Sequence, residues 1–240
     1  MELPWLNSVA DLWRSSVSQG RVPHALMLAG PPGTGKRAAA AWLARNRLSM
    51  PAGHLPEYPF ERPEHADLRW LEPPEDKHAI GIDQVRTLVN DLSLTSYEGK
   101  GKAAVIAPAD AMTHNAANSL LKTLEEPPGE ALLILVVDRP GRLPATIFSR
   151  CQRINTRVPA EDVGLSWLAA AQPGTNWAGH LREAGFAPIA ALENLARAGE
   201  TEGLATDFRA VAEGQAAPLE VAARWAKQEP EFVLGWLARQ

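Results

Sequence analysis

The sequence predicts an α/β fold, a five-stranded parallel sheet with helices on both faces, followed by a smaller all-helical region. Three observations carry this. Up to residue 159, short apolar stretches alternate with segments of helical spacing, the pattern of parallel strands joined by crossover helices. The string GPPGTGK at residues 30–36 lies between one such stretch and an Ala-rich segment, the strand–loop–helix setting of a phosphate-binding loop. After Pro159 the strand signals stop.

Residues 6–17 place Leu6, Val9, Leu12 and Trp13 at helical spacing. Residues 22–29 read as a buried strand that ends in the glycine loop. Residues 36–50 read as a helix whose alanines favour helix and permit close packing on a sheet. Residues 51–63 hold four prolines and read as a surface loop. A second strand follows at 66–71. Residues 82–94 put Ile82, Val85, Leu88, Val89 and Leu92 on one helical face. A third strand is expected at 103–107. Thr113 suits a helix N-cap, and Pro127-Pro128 stops that helix. The continuous apolar run at 131–137 reads as a central strand covered on both faces. A helical turn at 143–148 leads to a last strand at 151–158. Helices are then expected at 161–171, 177–184, 188–198 and 205–213, with one amphipathic helix over 218–240. Trp167, Trp225 and Trp236 are expected as core or interface anchors.

Hydrophobic residues make up 45% and charged residues 22% of the 240 residues, which argues against disorder. A net charge of −4 excludes a basic nucleic-acid binder in bulk. One cysteine, Cys151, excludes an internal disulfide and an all-cysteine metal site. The first residues lack the basic and apolar regions of a signal peptide, and no apolar run could span a bilayer. A cytoplasmic protein is expected, with no membrane partner.

Gly30, Gly33, Thr34, Gly35 and Lys36 belong to a string that meets every fixed position of G-x-x-x-x-G-K. Its glycines let backbone N–H groups turn inward around an anion, and Lys36 would reach the β- and γ-phosphates. The next residue should be Ser or Thr, whose hydroxyl ligates Mg²⁺. It is Arg37, and a guanidinium has no acceptor. The third strand should end on carboxylates that hold Mg²⁺ and polarise water. It ends on Ala107 and Pro108. Asp110 is expected to start the next helix. The chain is therefore expected to lack ATP hydrolysis, and binding of ATP or phosphate without hydrolysis stays open.

The string NSLLKTLEEPP at 118–128 and the triplet Ser149-Arg150-Cys151 resemble the clamp-loader branch of the AAA+ family. Within that branch the chain is similar to the bacterial delta-prime family of DNA polymerase III subunits. The resemblance covers roughly residues 20–158 well and runs on more weakly to about 200. It implies a member of a five-membered ring that loads a sliding clamp on primed DNA, with gamma/tau-type motor subunits and a delta subunit as partners. It implies a non-hydrolysing stator inside a DNA-directed DNA polymerase holoenzyme, a nucleotidyltransferase. By motif match, Arg150, flanked by Ser149 and Cys151, is the arginine that reaches a neighbour's ATP. Read from the residues alone, Arg150 is equally a surface arginine paired with Glu125 or Glu126. Cys151 reads as a small buried hydrophobe.

The chain departs from the family pattern in three places. The segment 46–64, where most relatives carry a four-cysteine zinc module, has no cysteine, so no zinc is expected; His54 and His65 cannot make a structural site alone. The stretch 185–188, Gly-Phe-Ala-Pro, stands where active ATPases place a sensor arginine, and Pro188 is expected to start a helix facing the glycine loop. The family's collar domain would begin near 204, and a fragment and a shortened subunit both stay open. The expected divisions are 1–158 for the P-loop domain, 159–203 for a helical lid and 204–240 for the start of a collar. Lys100, Lys102, Arg139, Arg142, Arg150 and Arg153 read as a basic set near the C-terminal ends of strands, facing a partner, phosphates or solvent. Two rival functions remain: an active NTPase or nucleotide kinase with Asp110 or Asp138 as a displaced metal ligand, and an AAA+ adaptor unrelated to replication.

Overall fold

The computed structural model describes residues 1–75, 77–228 and 230–237. Strands β1 (Ala25–Ala29), β2 (Leu68–Leu71), β3 (Lys102–Ile106), β4 (Ala131–Val137) and β5 (Gln152–Asn155) form one sheet in the order β2-β3-β4-β1-β5. Every neighbouring pair is parallel, with Ala25 opposite Leu133, Leu26 opposite Gln152 and Lys102 opposite Ala131. All residues of β1, β3 and β4 are buried. That is why these strands are continuous apolar runs rather than alternating ones.

Helices cover both faces. On one, Met27, Ala104, Ile106, Leu133 and Leu135 pack with Val85, Leu88, Leu120 and Leu124 of α3 (Ile82–Ser93) and α4 (His114–Glu125). The alternate residues of the same strands point to the opposite face, where α2 (Lys36–Arg47) lies against β1, β3 and β4. Ala38 to Ala41 and Ala44 are buried in α2, so small side chains set this close approach. The Thr113 hydroxyl accepts the Ala116 N–H at 3.2 Å and caps α4. Preceding the sheet, α1 (Asn7–Ser18) buries Val9, Ala10 and Trp13. The short α5 (Ala145–Phe148) enters β5.

The segment 51–63 is tied to the N-terminus. Leu3 N–H donates to Pro56 O and Tyr58 N–H to Met1 O, each at 2.8 Å. Trp167, on α6 (Glu161–Ala171), donates to Glu2 O at 3.0 Å and meets Trp5 edge-on at 5.5 Å. α6 packs on α7 (Trp177–Glu183), whose end passes through Gly185 and Phe186, both at positive φ, into α8 (Pro188–Ala196).

By compactness the chain falls into units Met1–Ala190 and Ala191–Gln240. These do not follow the changes of sequence character at 158/159 and 203/204, because Trp167 and its helix engage the N-terminal segment. In the second unit, α9 (Ala198–Ala212), α10 (Pro218–Trp225) and α11 (Pro230–Leu237) surround Leu204, Val233 and Trp236. Trp225 donates to Asp207 at 3.0 Å and meets Trp236 edge-on.

Several boundaries move. β1 starts at Ala25, α2 ends at Arg47 and β5 shortens to Gln152–Asn155. The helix expected at 205–213 begins at Ala198. The single helix expected over 218–240 is two, Pro218–Trp225 and Pro230–Leu237, with Pro230 at the first position of the second, where a missing N–H costs no helical bond; residues 229 and 238–240 lie outside the described residues. Among the described residues no helix is long and apolar enough to cross a membrane.

Candidate functional site

The glycine loop follows β1 and opens α2, as its sequence requires. Gly33 has φ +73° and lies against Ala190, so an added Cβ would both strain the backbone and overlap that residue. At Gly30 a Cβ would overlap Thr156. At Gly35, the N-cap of α2, an added Cβ would run into Leu3 and crowd Leu6. Thr34 is fully buried; its hydroxyl donates to Pro31 O at 2.9 Å, and its carbonyl accepts Trp5 Nε1–H at 2.9 Å. Ile189 N–H donates to Gly33 O at 3.2 Å. Thus Pro188 does start a helix whose first turn meets the glycine loop.

Lys36 is 3% exposed. Its ammonium donates to Gly30 O at 2.7 Å, to Pro31 O, and to Asp138 Oδ1 at 2.7 Å. Burial pulls its pKa below the usual lysine range, while the charges of Asp138 and Asp110 oppose that shift. Asp138 follows β4, and its backbone N–H donates to Asp110 Oδ1 at 2.8 Å. Asp110 does not open α4. It sits in a 3-10 turn, Ala109–Ala111, ahead of the Thr113 cap, because its carboxylate is used on the neighbouring strand end. Asp110 and Asp138 are therefore both engaged with protein donors.

Arg37 pairs with Glu72, at the end of β2, which also accepts Trp70 Nε1–H at 3.0 Å. Ala107 is buried and donates its N–H to Leu71 O at 2.9 Å; Pro108 leads into the 3-10 turn. The three positions where the sequence led one to look for a hydroxyl and two carboxylates thus carry a guanidinium, a methyl group and a pyrrolidine ring.

Arg150 lies two residues before the start of the edge strand β5. It meets Glu125 Oε1 through Nε at 2.9 Å and Nη2 at 2.6 Å, and Nη1 donates to Thr146 O at 3.0 Å and Ser149 Oγ at 3.1 Å. The Arg150 side chain is about a third exposed. Glu125 comes from the LLKTLEE helix and Arg150 from the Ser-Arg-Cys triplet, so the two motifs meet in one ion pair. Cys151 packs against the main core, and burial pushes its thiol up to about 12.

The expected basic set does not gather. Lys100 and Lys102 lie at the N-terminal end of β3, paired with Glu98 at 3.2 Å and Asp67 at 3.4 Å, whereas Arg139 and Arg142 follow β4. Since β3 and β4 run parallel, residues before the one and after the other lie at opposite ends of the sheet. His65 accepts Asp67 N–H at 3.0 Å, and His54 contacts Arg14. Among the described residues no three His, Cys, Asp or Glu side chains group as a metal site. Sequence reasoning missed Trp5, Thr156 and Ile189 as parts of the loop's surroundings, and it weighed Asp138 as a metal ligand instead of as the partner of Lys36.

The family described as DNA polymerase III, delta subunit, matches residues 5–159. The delta-prime subunit of Pseudomonas aeruginosa DNA polymerase III is 40% identical over 177 residues, which cover 71% of this chain and 53% of that one. The Bacillus subtilis delta-prime subunit is 38% identical over 152 residues, 61% of this chain and 46% of that one. The chain spans about half the length of these relatives. In fold it is similar to a DNA polymerase III gamma subunit-related protein of Thermotoga maritima, with a TM-score of 0.57, 23% identity, and coverage of 96% and 76%. The sheet order, the glycine loop and the helices after it are those of an AAA+ module, and the chain belongs to the delta-prime family of DNA polymerase III.

Proposed function

We propose that the chain is a non-hydrolysing stator of a clamp loader, a cytoplasmic ring that places a sliding clamp on primed DNA. Its partners are gamma/tau-type motor subunits and a delta subunit, and through them the clamp and DNA. In this reading residues 159–203 act as the lid and 204–240 begin the collar. The observation that carries the silent-site half is the state of the loop: Lys36 is bonded to Gly30, Pro31 and Asp138, and Arg37 turns to Glu72. Neither ATP hydrolysis nor zinc has a place in this scheme.

The trans half rests on Arg150 and the family match. A guanidinium supplied by one subunit neutralises charge that develops on a phosphoryl group bound by the next. Arg150 is held on Glu125, so engaging a neighbour's phosphate requires it to exchange that carboxylate for phosphate oxygens. Both are charge-assisted partners of similar geometry, which makes the exchange feasible. Reconstitution tests the proposal. The chain is mixed with motor and delta subunits, and clamp loading on primed DNA is followed. Loading that depends on the chain is expected; loading unaffected by its omission, with no co-elution, would refute it.

A further inference from the structure

We propose that Asp138 is an internal anion of the glycine loop, occupying its lysine so that polyphosphates are rejected, and that removing this carboxylate lets the loop bind them. This rests on reading the loop as silent toward nucleotides. An ammonium has three N–H donors. Those of Lys36 go to Gly30 O, Pro31 O and Asp138 Oδ1, with 2.7 Å for the first and third. Lys36 is 3% exposed, so an incoming phosphate would have to displace one of these acceptors to reach it.

Charge decides whether that happens. A competent loop presents a net positive centre. Here one ammonium faces Asp138 directly, and Asp110 also acts on it electrostatically. Two carboxylates act on this one ammonium, so its charge is already compensated within the chain, and a polyphosphate would have to compete with Asp138 for it. Asp138 is also fixed in place, because Asp110 accepts its backbone N–H at 2.8 Å. Asp110 is itself 9% exposed, so the anchor is part of the core. The loop keeps the glycine geometry that cradles phosphate, with Gly33 at φ +73° and Gly35 at φ +87°. What it lacks is a free cation.

Pyrophosphate and ATP, each without magnesium, are the probes, titrated by calorimetry into the full chain and three variants. Asp138→Asn keeps an oxygen for Lys36; Asp138→Ala removes it; Asp138→Asn with Lys36→Met removes the cation as well. Thermal melts identify which variants are folded, and Asp138→Asn carries the test if Asp138→Ala does not fold. Expected is no saturable binding by the wild-type chain, at least tenfold tighter binding by Asp138→Asn, and its loss in the double variant. Tight binding by the wild-type chain would overturn both the silent-loop reading and the internal anion. A silent wild type with a folded Asp138→Asn that gains nothing would overturn the internal anion alone, as would a gain that survives Lys36→Met.

Discussion

Lys36 is bonded to its own chain's oxygens, so its substitution is a question of stability. Lys36→Met keeps the apolar stem but leaves Asp138 and two carbonyls without their donor. A loss of about 1.5–3 kcal/mol is expected, the range for hydrogen bonds to charged groups, measured by urea unfolding. Cys151 is the opposite case of a reactive-looking group made inert. With its thiol pushed up to about 12, it stays protonated at pH 8. Alkylation is expected to be slow in the native chain and fast in denaturant; equal rates would contradict the burial. Asp67 is 2% exposed. Burial raises its pKa, but the N–H groups of Tyr97 and Glu98, the Ser96 hydroxyl and Lys102 outweigh that and hold it at about 2. A folded-state value below the unfolded one, near 3.9, adds stability that is present above about pH 4 and lost as pH falls towards 2. Asp67→Asn is therefore expected to be less stable than wild type at pH 7, with the gap narrowing on acidification. Denaturant curves at several pH values read this directly, and a gap that widens at low pH would reverse the sign.

Local chemistry explains several elements outright, and Thr113 is the simplest. Its hydroxyl caps α4 at 3.2 Å, so Thr113→Ala is expected to cost about 1 kcal/mol, the usual worth of such a cap. A change below a few tenths in the melting analysis would show that the cap is dispensable. α4 and β4 were legible in the sequence because their signals are short-range: a cap and two prolines for one, seven consecutive apolar residues for the other. The glycine loop was legible for the same reason. α9 was not fully so. Its first turns carry Gly199 and Gly203, residues of poor helix propensity, yet they are helical and lead to the buried Leu204. The pairing of Lys36 with Asp138 was hidden as well, since it joins the start of α2 to the end of β4, and charge gives no periodic signal. Arg150 was left between two readings by its residues alone. The structure places it on Glu125, while the role in trans rests on family membership.

The whole molecule is an AAA+ module in which Lys36 of the glycine loop is bonded to its own chain and Arg150 stands two residues ahead of the edge strand. Ile189 and Trp5 donate to two of the loop's carbonyls, and Lys36 is taken by Gly30, Pro31 and Asp138. ATP is therefore expected to leave the melting temperature unchanged, since a ligand stabilises only by binding the folded state. A saturable rise of several degrees at micromolar ATP would contradict that. Elemental measurement of chelator-washed protein is expected to find no stoichiometric zinc. Whether this chain acts on a neighbour's site through Arg150 or on its own through Lys36 is decided by the DNA- and clamp-stimulated ATPase of a reconstituted loader carrying Arg150→Ala or Lys36→Met in this chain, with incorporation of each verified. Documented arginine fingers contribute about 10³–10⁵ in rate at the site they touch, and the other motor sites of the ring keep their own. Arg150→Ala is expected to assemble and to lower the stimulated rate and clamp loading, whereas Lys36→Met, once incorporated, leaves both near wild type. Full activity with Arg150→Ala and loss with Lys36→Met would make this chain a motor and not a stator.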